Sequence, residues 1–376
     1  MKKILFIISE DSYFLSHRLN LVKAAQSEGY EVGLLCNFSR HKKMLDEMNI
    51  ETFDWDINRS SFNPLKELKS FFQIYTVLKS YKADIVHTVS LKPVVYSGLI
   101  SRLLIPSNHT FALGGLGYVF NSPKLKAKIL KILISKLLSY IFRAQNSLLI
   151  IQNIDDCNSL LDLNIIDPQK IRLVRGAGVN TSLYSPTEVE KELDNIPLVI
   201  LPSRLLWDKG IREFVDSAKI LKDKGIQARF AVVGDQDDLN PECVDLSQIE
   251  AWKSKGYVEF WGFRDDMPNI YKMASIVCLP SYREGLPKSL LEAASCGIPL
   301  VAFDVPGCRE IVIEGVNGFL VPEVNAELLS KSLEELIEDR IKRRVMGKAG
   351  RKLVLKEFSD DIVINKTKDI WKEVLL

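Results

Sequence analysis

The stretch IVCLPSYREGLPKSLLEAAS, residues 276–295, holds the pattern on which the fold turns. Ile276–Leu279 is a short apolar run with the length of a buried strand, and Pro280 ends it. Pro287 suits the first turn of a helix, where its missing N–H is no loss, and a helical pattern runs over 288–296. A buried strand that feeds a loop and then a helix is the repeating half of a parallel α/β sheet. In such sheets ligands bind beside the loops at the carboxyl ends of the strands. This loop carries a carboxylate, Glu284, and a glycine, Gly285, that lets backbone approach a ligand closely. The amides of Lys288 and Ser289 fall in the helix's first turn, where no i−4 carbonyl is available, and can receive a phosphate. A second carboxylate, Glu292, lies deeper, on the helix's second turn. Carboxylates accept hydrogen bonds from hydroxyls, while amides and cations hold a diphosphate, so the loop suits a sugar nucleotide. Glu284, Gly285, Leu286, Lys288, Ser289 and Glu292 are the candidate residues for such a ligand.

The same alternation fills the rest of the 376-residue chain. Candidate strands at Ile4–Ile8, Glu31–Cys36, Asp84–Val89, Thr110–Leu113, Leu148–Gln152 and Ile171–Arg175 are separated by helical patterns near 17–28, 64–81, 92–104, 122–144 and 155–163. Gly178–Pro197 is richer in turn residues and reads as a linker. The pattern restarts with strands at Leu198–Leu201, Arg229–Val233, Val258–Trp261, Ile276–Leu279, Leu300–Phe303 and Gly318–Val321, and helices close the chain. The expected architecture is two Rossmann-like α/β domains, 1–185 and 186–357, whose parallel sheets face a central cleft. A final helix over 358–376 is expected to pack back toward the first domain.

Apolar residues make up 47% and charged residues 26% of the chain, which excludes a disordered tail or a coiled-coil rod. A net charge of +2 is too small for a free-standing nucleic-acid binder, so no nucleic-acid partner is expected. The six cysteines form no C-x-x-C pair and read as thiols in a reducing compartment, and four dispersed histidines offer no metal site. Ile4–Ile8 is too short for the apolar core of a signal peptide, and Leu103–Pro123, the longest uncharged stretch, is broken by Pro106 and Gly114–Gly115. A cytoplasmic or peripheral location is therefore expected. The charge is split unevenly: residues 1–185 hold 23 Lys+Arg against 15 Asp+Glu, and the remainder 27 against 33. No acid occurs between Asp84 and Asp155, a gap that holds eight basic residues. Within it, Ser122–Arg143 reads as a basic amphipathic helix with Lys124, Lys128, Lys131, Ser135 and Ser139 in one stripe and Leu and Ile over most of the rest. Residues 122–143 are expected to lie on an anionic membrane surface; a core helix with a solvated lysine stripe is the other reading.

A second loop follows the strand Leu198–Leu201: Ser203-Arg204-Leu205-Leu206-Trp207-Asp208-Lys209-Gly210. Arg204 offers a planar fork and Lys209 a point charge, a pair suited to an anion beside a helix start. The D-x-D strings Asp54-Trp55-Asp56 and Asp235-Gln236-Asp237 read as turn acids, not metal ligands. In the first half, His17 and Arg18 follow the first strand, His87 and Lys92 lie at the strand Asp84–Val89, and Gly115 and Gly117 sit in a loop that can admit a ligand. These six are the acceptor-side candidates.

Glu284 and Glu292, with seven residues between them, match the E-x7-E motif of retaining GT-B glycosyltransferases of family 4, and Arg204 and Lys209 match that family's phosphate-binding pair. Gly178-Val179-Asn180 with Tyr184-Ser185-Pro186 resembles its interdomain segment, and the likeness spans nearly the whole chain. In the first half, Phe14-Leu15-Ser16-His17-Arg18, Ser60-Ser61-Phe62-Asn63-Pro64-Leu65 and Gly115-Leu116-Gly117-Tyr118 resemble bacterial enzymes that add N-acetylgalactosamine to undecaprenyl-diphosphate-linked sugars for O-antigen, capsule or N-glycan precursors. The resemblance implies that Glu284 contacts the donor sugar and Glu292 the ribose, and that Arg204 and Lys209 neutralise the leaving diphosphate. It implies a UDP-sugar co-substrate, a polyprenyl-diphosphate-linked acceptor, no divalent metal or other cofactor, and a place on the inner face of the cytoplasmic membrane. The chain departs from the family where Ser9-Glu10-Asp11-Ser12 replaces a glycine pair and Gly114-Gly115 stands where a histidine is common.

On the residues alone, rivals stay open. A glycoside hydrolase also needs two carboxylates, but across a single bond and without phosphate-binding neighbours. A sugar-nucleotide epimerase of similar fold, a transferase of another UDP- or GDP-hexose, and a non-catalytic membrane scaffold complete the set. No G-x-G-x-x-G follows the first strand, which argues against a dinucleotide dehydrogenase.

Overall fold

A computed structural model describes residues 1–39, 41–57, 63–116, 120, 125–186, 196–237 and 240–376. The chain divides into two compact units, Met1–Ala177 with Asp361–Leu376, and Gly178–Asp360.

The first unit is a parallel sheet of seven strands: β1 (Lys3–Glu10), β2 (Glu31–Asn37), β3 (Ile50–Asp54), β4 (Ile85–Val89), β5 (His109–Leu113), β6 (Ser147–Ile151) and β7 (Ile171–Leu173), in the order β3-β2-β1-β4-β5-β6-β7. Alternate residues of β1 enter different cores, as the period of two demands. Ile4, Phe6 and Ile8 pack with Phe14 and Trp371, while Leu5 and Ile7 pack with Trp55, Ile74 and Leu78. A strand buried on both faces reads as a continuous apolar run, which is why β1 was legible. The helix Asp360–Val374 supplies Val363, Ile370, Trp371 and Val374 to the first of these cores.

The second unit is a parallel sheet of six strands: β8 (Leu198–Pro202), β9 (Arg229–Val233), β10 (Glu259–Phe260), β11 (Ile276–Leu279), β12 (Leu300–Phe303) and β13 (Gly318–Val321), in the order β10-β9-β8-β11-β12-β13. Both sheets reverse their order at the first strand of the unit. β1 lies between β2 and β4, and β8 between β9 and β11. These are the topological switch points at which open parallel sheets bind ligands.

Two features differ from the expectations. β3 was missed because only Ile50 of its five residues is buried, so no apolar run marks it. Asp54, assigned to a turn, is its last residue and pairs with Lys42, while Asp56 pairs with Lys69 at 2.7 Å. The second unit also takes in Gly178–Ser185, which the sequence reading placed with the first domain. The cause is a backbone clasp within that unit: Val179 N donates to Phe358 O at 3.0 Å and Asp360 N to Val179 O at 3.0 Å.

The expected basic helix runs over Leu125–Phe142; residues 122–124 lie outside the described residues. Leu138, Ile141 and Phe142 are buried, while Leu125, Ile129, Ile132 and Leu133 are exposed along with Lys128 and Lys136. Among the described residues no helix is long and apolar enough to cross a membrane.

Two histidines are enclosed in the first sheet. Burial pushes the imidazole of His109 down to about 4, against a small opposing pull from its Ser107 hydrogen bond, and pushes that of His87 well below its ordinary range. Unfolding returns both to about 6.5. The unfolded chain then binds more protons than the native one below that pH, so stability is present above 6.5 and lost as pH falls toward 4. Urea midpoints should drop between pH 7 and pH 5, and His109→Gln should flatten that slope.

Candidate active site

The site is built where β8 and β11 lie side by side. The loop after β8 is fixed by backbone bonds to its neighbours: Ser203 N donates to Val233 O at 3.0 Å, Leu205 N to Asp235 O at 2.9 Å, and Tyr282 N to Asp208 O at 2.9 Å. Glycines clamp the β11 loop from both sides. Gly210, at φ +69°, sits so close that a Cβ would fall 1.9 Å from the Pro280 carbonyl oxygen. From the β12 side, a Cβ on Gly307 would fall 2.5 Å from Gly285 O and 2.8 Å from Glu284 O. Neither position has room for a side chain, so the loops interlock at the level of backbone.

The clamp brings Lys209 and Glu284 together. Lys209 Nζ donates to Glu284 Oε1 at 2.7 Å, with side chains 16% and 14% exposed. Glu292 lies on the helix Lys288–Ser295 as expected; Pro287 forms its N-cap, and no side chain caps the first turn. Burial raises the Glu292 carboxyl above its ordinary range, opposed by Lys288 and by hydrogen bonds from Tyr271 and Tyr184. Tyr271 Oη donates to Glu292 Oε2 at 3.1 Å, and Lys288 Nζ lies 3.8 Å from Oε1. Tyr184 is itself fixed: its carbonyl accepts from Ser295 Oγ at 2.6 Å and from Arg351 at 2.9 Å. Arg204 pairs instead with Asp237 of the second D-x-D string and stays 57% exposed. Asp237 was read only as a turn acid, and Tyr271 lies in an apolar helical context with nothing in the sequence to single it out. Tyr184 was visible as part of the interdomain motif.

In the first unit the acceptor-side candidates do not form one cluster. His17 stacks on Tyr13 at 4.3 Å and bonds Ser16 Oγ at 2.7 Å. Arg18 and His87 are buried. His87 points into the core, between Thr110 Oγ1 at 2.8 Å and the indole of Trp371 at 3.2 Å. Lys92 pairs with Glu67 at 2.7 Å. Gly115 adopts φ +147°, and Leu116 N beside it donates to the buried Asp156 at 3.3 Å; Gly117 lies outside the described residues. The sequence reading named Asp11 only as part of a departure from the family pattern and gave it no role. Where the family has glycines, this carboxylate gathers Ser12 N at 2.8 Å, Ser39 N at 2.9 Å and His41 N at 3.1 Å. Among the described residues no group of three His, Cys, Asp or Glu side chains is placed to hold a metal.

Two Rossmann-like units, the second with a lysine–carboxylate pair at its switch point, define the GT-B class of fold. Residues 187–353 match the family model described as "Glycosyl transferases group 1", and residues 3–153 match "Glycosyl transferase 4-like". The chain belongs to this family of glycosyltransferases. It is 28% identical to the N,N'-diacetylbacillosaminyl-diphospho-undecaprenol alpha-1,3-N-acetylgalactosaminyltransferase of Campylobacter jejuni, over 96% of this chain and 98% of that protein. It is 25% identical to the UDP-Gal:alpha-D-GlcNAc-diphosphoundecaprenol alpha-1,3-galactosyltransferase of Escherichia coli, over 93% of this chain and 91% of that protein. Among solved structures, the sucrose-phosphate synthase of Thermosynechococcus elongatus superposes with a TM-score of 0.81 at 19% identity, covering 100% of this chain and 99% of that one.

The clamp carries a prediction. Gly307→Ala should displace the Glu284 loop and lower sugar-transfer turnover on the order of 10²-fold, with far-UV circular dichroism unchanged. Full turnover in the variant would show that the contact positions nothing.

Proposed function

We propose that this chain transfers a hexosamine, N-acetylgalactosamine before others, from a UDP-sugar to an undecaprenyl-diphosphate-linked sugar, retaining the α configuration. The observation that carries the reading is the Lys209–Glu284 pair, an anion-binding cation and a hydroxyl-binding carboxylate held together at a switch point. The names of the C. jejuni and E. coli relatives supply the acceptor class, and that of the C. jejuni relative the hexosamine.

In this mechanism the bond from the sugar's anomeric carbon to the diphosphate breaks, and a bond to the acceptor oxygen forms on the same face. Arg204, Lys209 and the first-turn amides at Lys288 and Ser289 counter the charge that grows on the leaving diphosphate. With these groups in that role, no divalent metal is required. Glu284, beside Gly285 and Leu286, accepts from donor hydroxyls, and Glu292 from the ribose. The acceptor hydroxyl passes its proton to the departing phosphate. His17, Arg18 and Gly115 stand on the acceptor side; His87 can offer only Nε2, and Lys92 would have to leave Glu67.

The chain works at the inner face of the cytoplasmic membrane, as the lipid-linked acceptor requires, in the synthesis of a surface polysaccharide or glycan precursor. Support comes from the helix Leu125–Phe142, whose outward face presents Ile129, Ile132 and Leu133 rather than a lysine stripe. Apolar residues flanked by Lys128 and Lys136 suit an anionic leaflet.

The test incubates purified protein with UDP- and GDP-sugars and a short-chain prenyl-diphosphate-linked sugar. Product mass should show one added N-acetylhexosamine, and the anomeric coupling an α linkage. Sugar interconversion without acceptor, or no UDP binding, would overturn the reading. Lys209→Ala and Arg204→Ala should each lower kcat by about 10²-fold or more. Leu133→Glu should weaken sedimentation with vesicles rich in anionic lipid.

A further inference from the structure

Arg18 is a charge that the first unit leaves unanswered. It follows the helix Asp11–His17 and is 6% exposed, and among the described residues its side chain makes one hydrogen bond, from Nη1 to His17 O at 3.3 Å. Its Nε has no partner among the described residues. The acid closest to the helix start, Asp11, is occupied by Ser39 and His41. A buried guanidinium without a counter-charge is strongly unfavourable, and such groups persist where something else supplies the charge.

A second orphan donor lies in the same unit. Trp371 Nε1 approaches His87 Nδ1 at 3.2 Å, and an indole N–H can only donate. Nδ1 therefore accepts, and the ring hydrogen sits on Nε2, which is buried and has no partner among the described residues. The charge of Arg18 reaches this ring strongly enough to depress its proton affinity, after burial itself. Phe6 links the two: its ring packs against His87 at 5.2 Å and against Phe14 at 6.4 Å, and the Phe14 carbonyl accepts from Arg18 N at 2.8 Å. Arg18 follows β1 and His87 lies on β4, the strands between which the first sheet reverses its order. A buried water would satisfy the imidazole N–H but not the guanidinium's charge. The chain has no acid between Asp84 and Asp155 to supply it either.

We propose that Arg18 and His87 bind a phosphoryl oxygen of a ligand in the first unit, the guanidinium supplying the counter-charge and the Nε2–H a second hydrogen bond. This deepens the function proposed above, since the lipid diphosphate of the acceptor is one source of such a group; a phosphate of the donor nucleotide is the other.

The test compares wild type with Arg18→Met, which keeps the apolar stem, and Arg18→Lys, which keeps the charge. Each is titrated by calorimetry with methylene diphosphonate while UDP saturates the donor site, and separately with UDP alone. Wild type should bind diphosphonate in the presence of UDP, Arg18→Met at least tenfold more weakly, and Arg18→Lys in between. The ligand-free melting midpoint of Arg18→Met should equal or exceed that of wild type, because the variant sheds an uncompensated charge. In transfer assays, the ratio of kcat/KM for a prenyl-diphosphate-linked sugar to that for the same sugar on an uncharged alkyl chain should fall at least tenfold in Arg18→Met. A tenfold loss of UDP affinity with that ratio intact would assign the phosphoryl group to the donor. Diphosphonate and UDP affinities both undiminished in Arg18→Met, or a ligand-free midpoint lowered by several degrees, would overturn the proposal. If wild type transfers no sugar yet binds diphosphonate through Arg18, the function above fails and this site stands.

Discussion

The pairing of Lys209 with Glu284 is the constraint around which the second unit is arranged. The two residues are 75 positions apart and meet because β8 and β11 are neighbours in the sheet. Backbone contacts at Gly210 and Gly307 then remove any slack in the loop between them. Without a ligand the cation and the carboxylate satisfy each other. A partly enclosed pair of this kind gains little net stability, since desolvation offsets most of the attraction. Its value lies elsewhere. A ligand that brings an anion for the lysine and hydroxyls for the carboxylate replaces both halves of the pair at once, and neither group is left unpaired.

Glu292 follows a different logic. It is nearly enclosed, and burial works against its charge; two tyrosine hydroxyls and Lys288 work for it. One tyrosine comes from the segment after Gly178, and that segment is held by Arg351, which donates to the carbonyls of Thr181, Tyr184 and Ser295. The carboxylate is thereby tied to Arg351 on a later helix, Arg340–Glu357. A side chain fixed through so many partners keeps its geometry when a ligand arrives, which is what preorganised recognition needs.

The sheets were legible because their strands are buried on both faces and so read as apolar runs; β3, half-exposed and carrying two acids, offered no such run. Lys209, Glu284 and Glu292 stood out as candidates because the loops after β8 and β11 carry their charged residues close together in the chain. What the sequence hid were partnerships across distance. Nothing local says that Asp237 answers Arg204, that Tyr271 reaches Glu292, or that Val179 clasps Phe358 and so moves the unit boundary to Gly178. The first unit was harder still. Its candidates were chosen for standing near strand ends, yet side-chain direction alternates along a strand, and His87 points into the core beside Phe6 and Trp371.

The two units also settle their charges differently. In the second, the cations of the candidate site meet acids of the same unit: Lys209 with Glu284, Arg204 with Asp237, Lys288 with Glu292. In the first, the buried acids are spent on neighbouring hydrogen-bond donors, Asp11 on the turn at Ser39 and Asp156 on Asn153 and Leu116 N. The excess of basic residues there is consequently not cancelled internally, and part of it is buried. On the readings proposed above, buried Arg18 and the apolar, lysine-flanked helix would each take an anionic partner, the first a discrete group and the second an extended face. A substrate that joins a phosphorylated head to a membrane-embedded chain meets both at once.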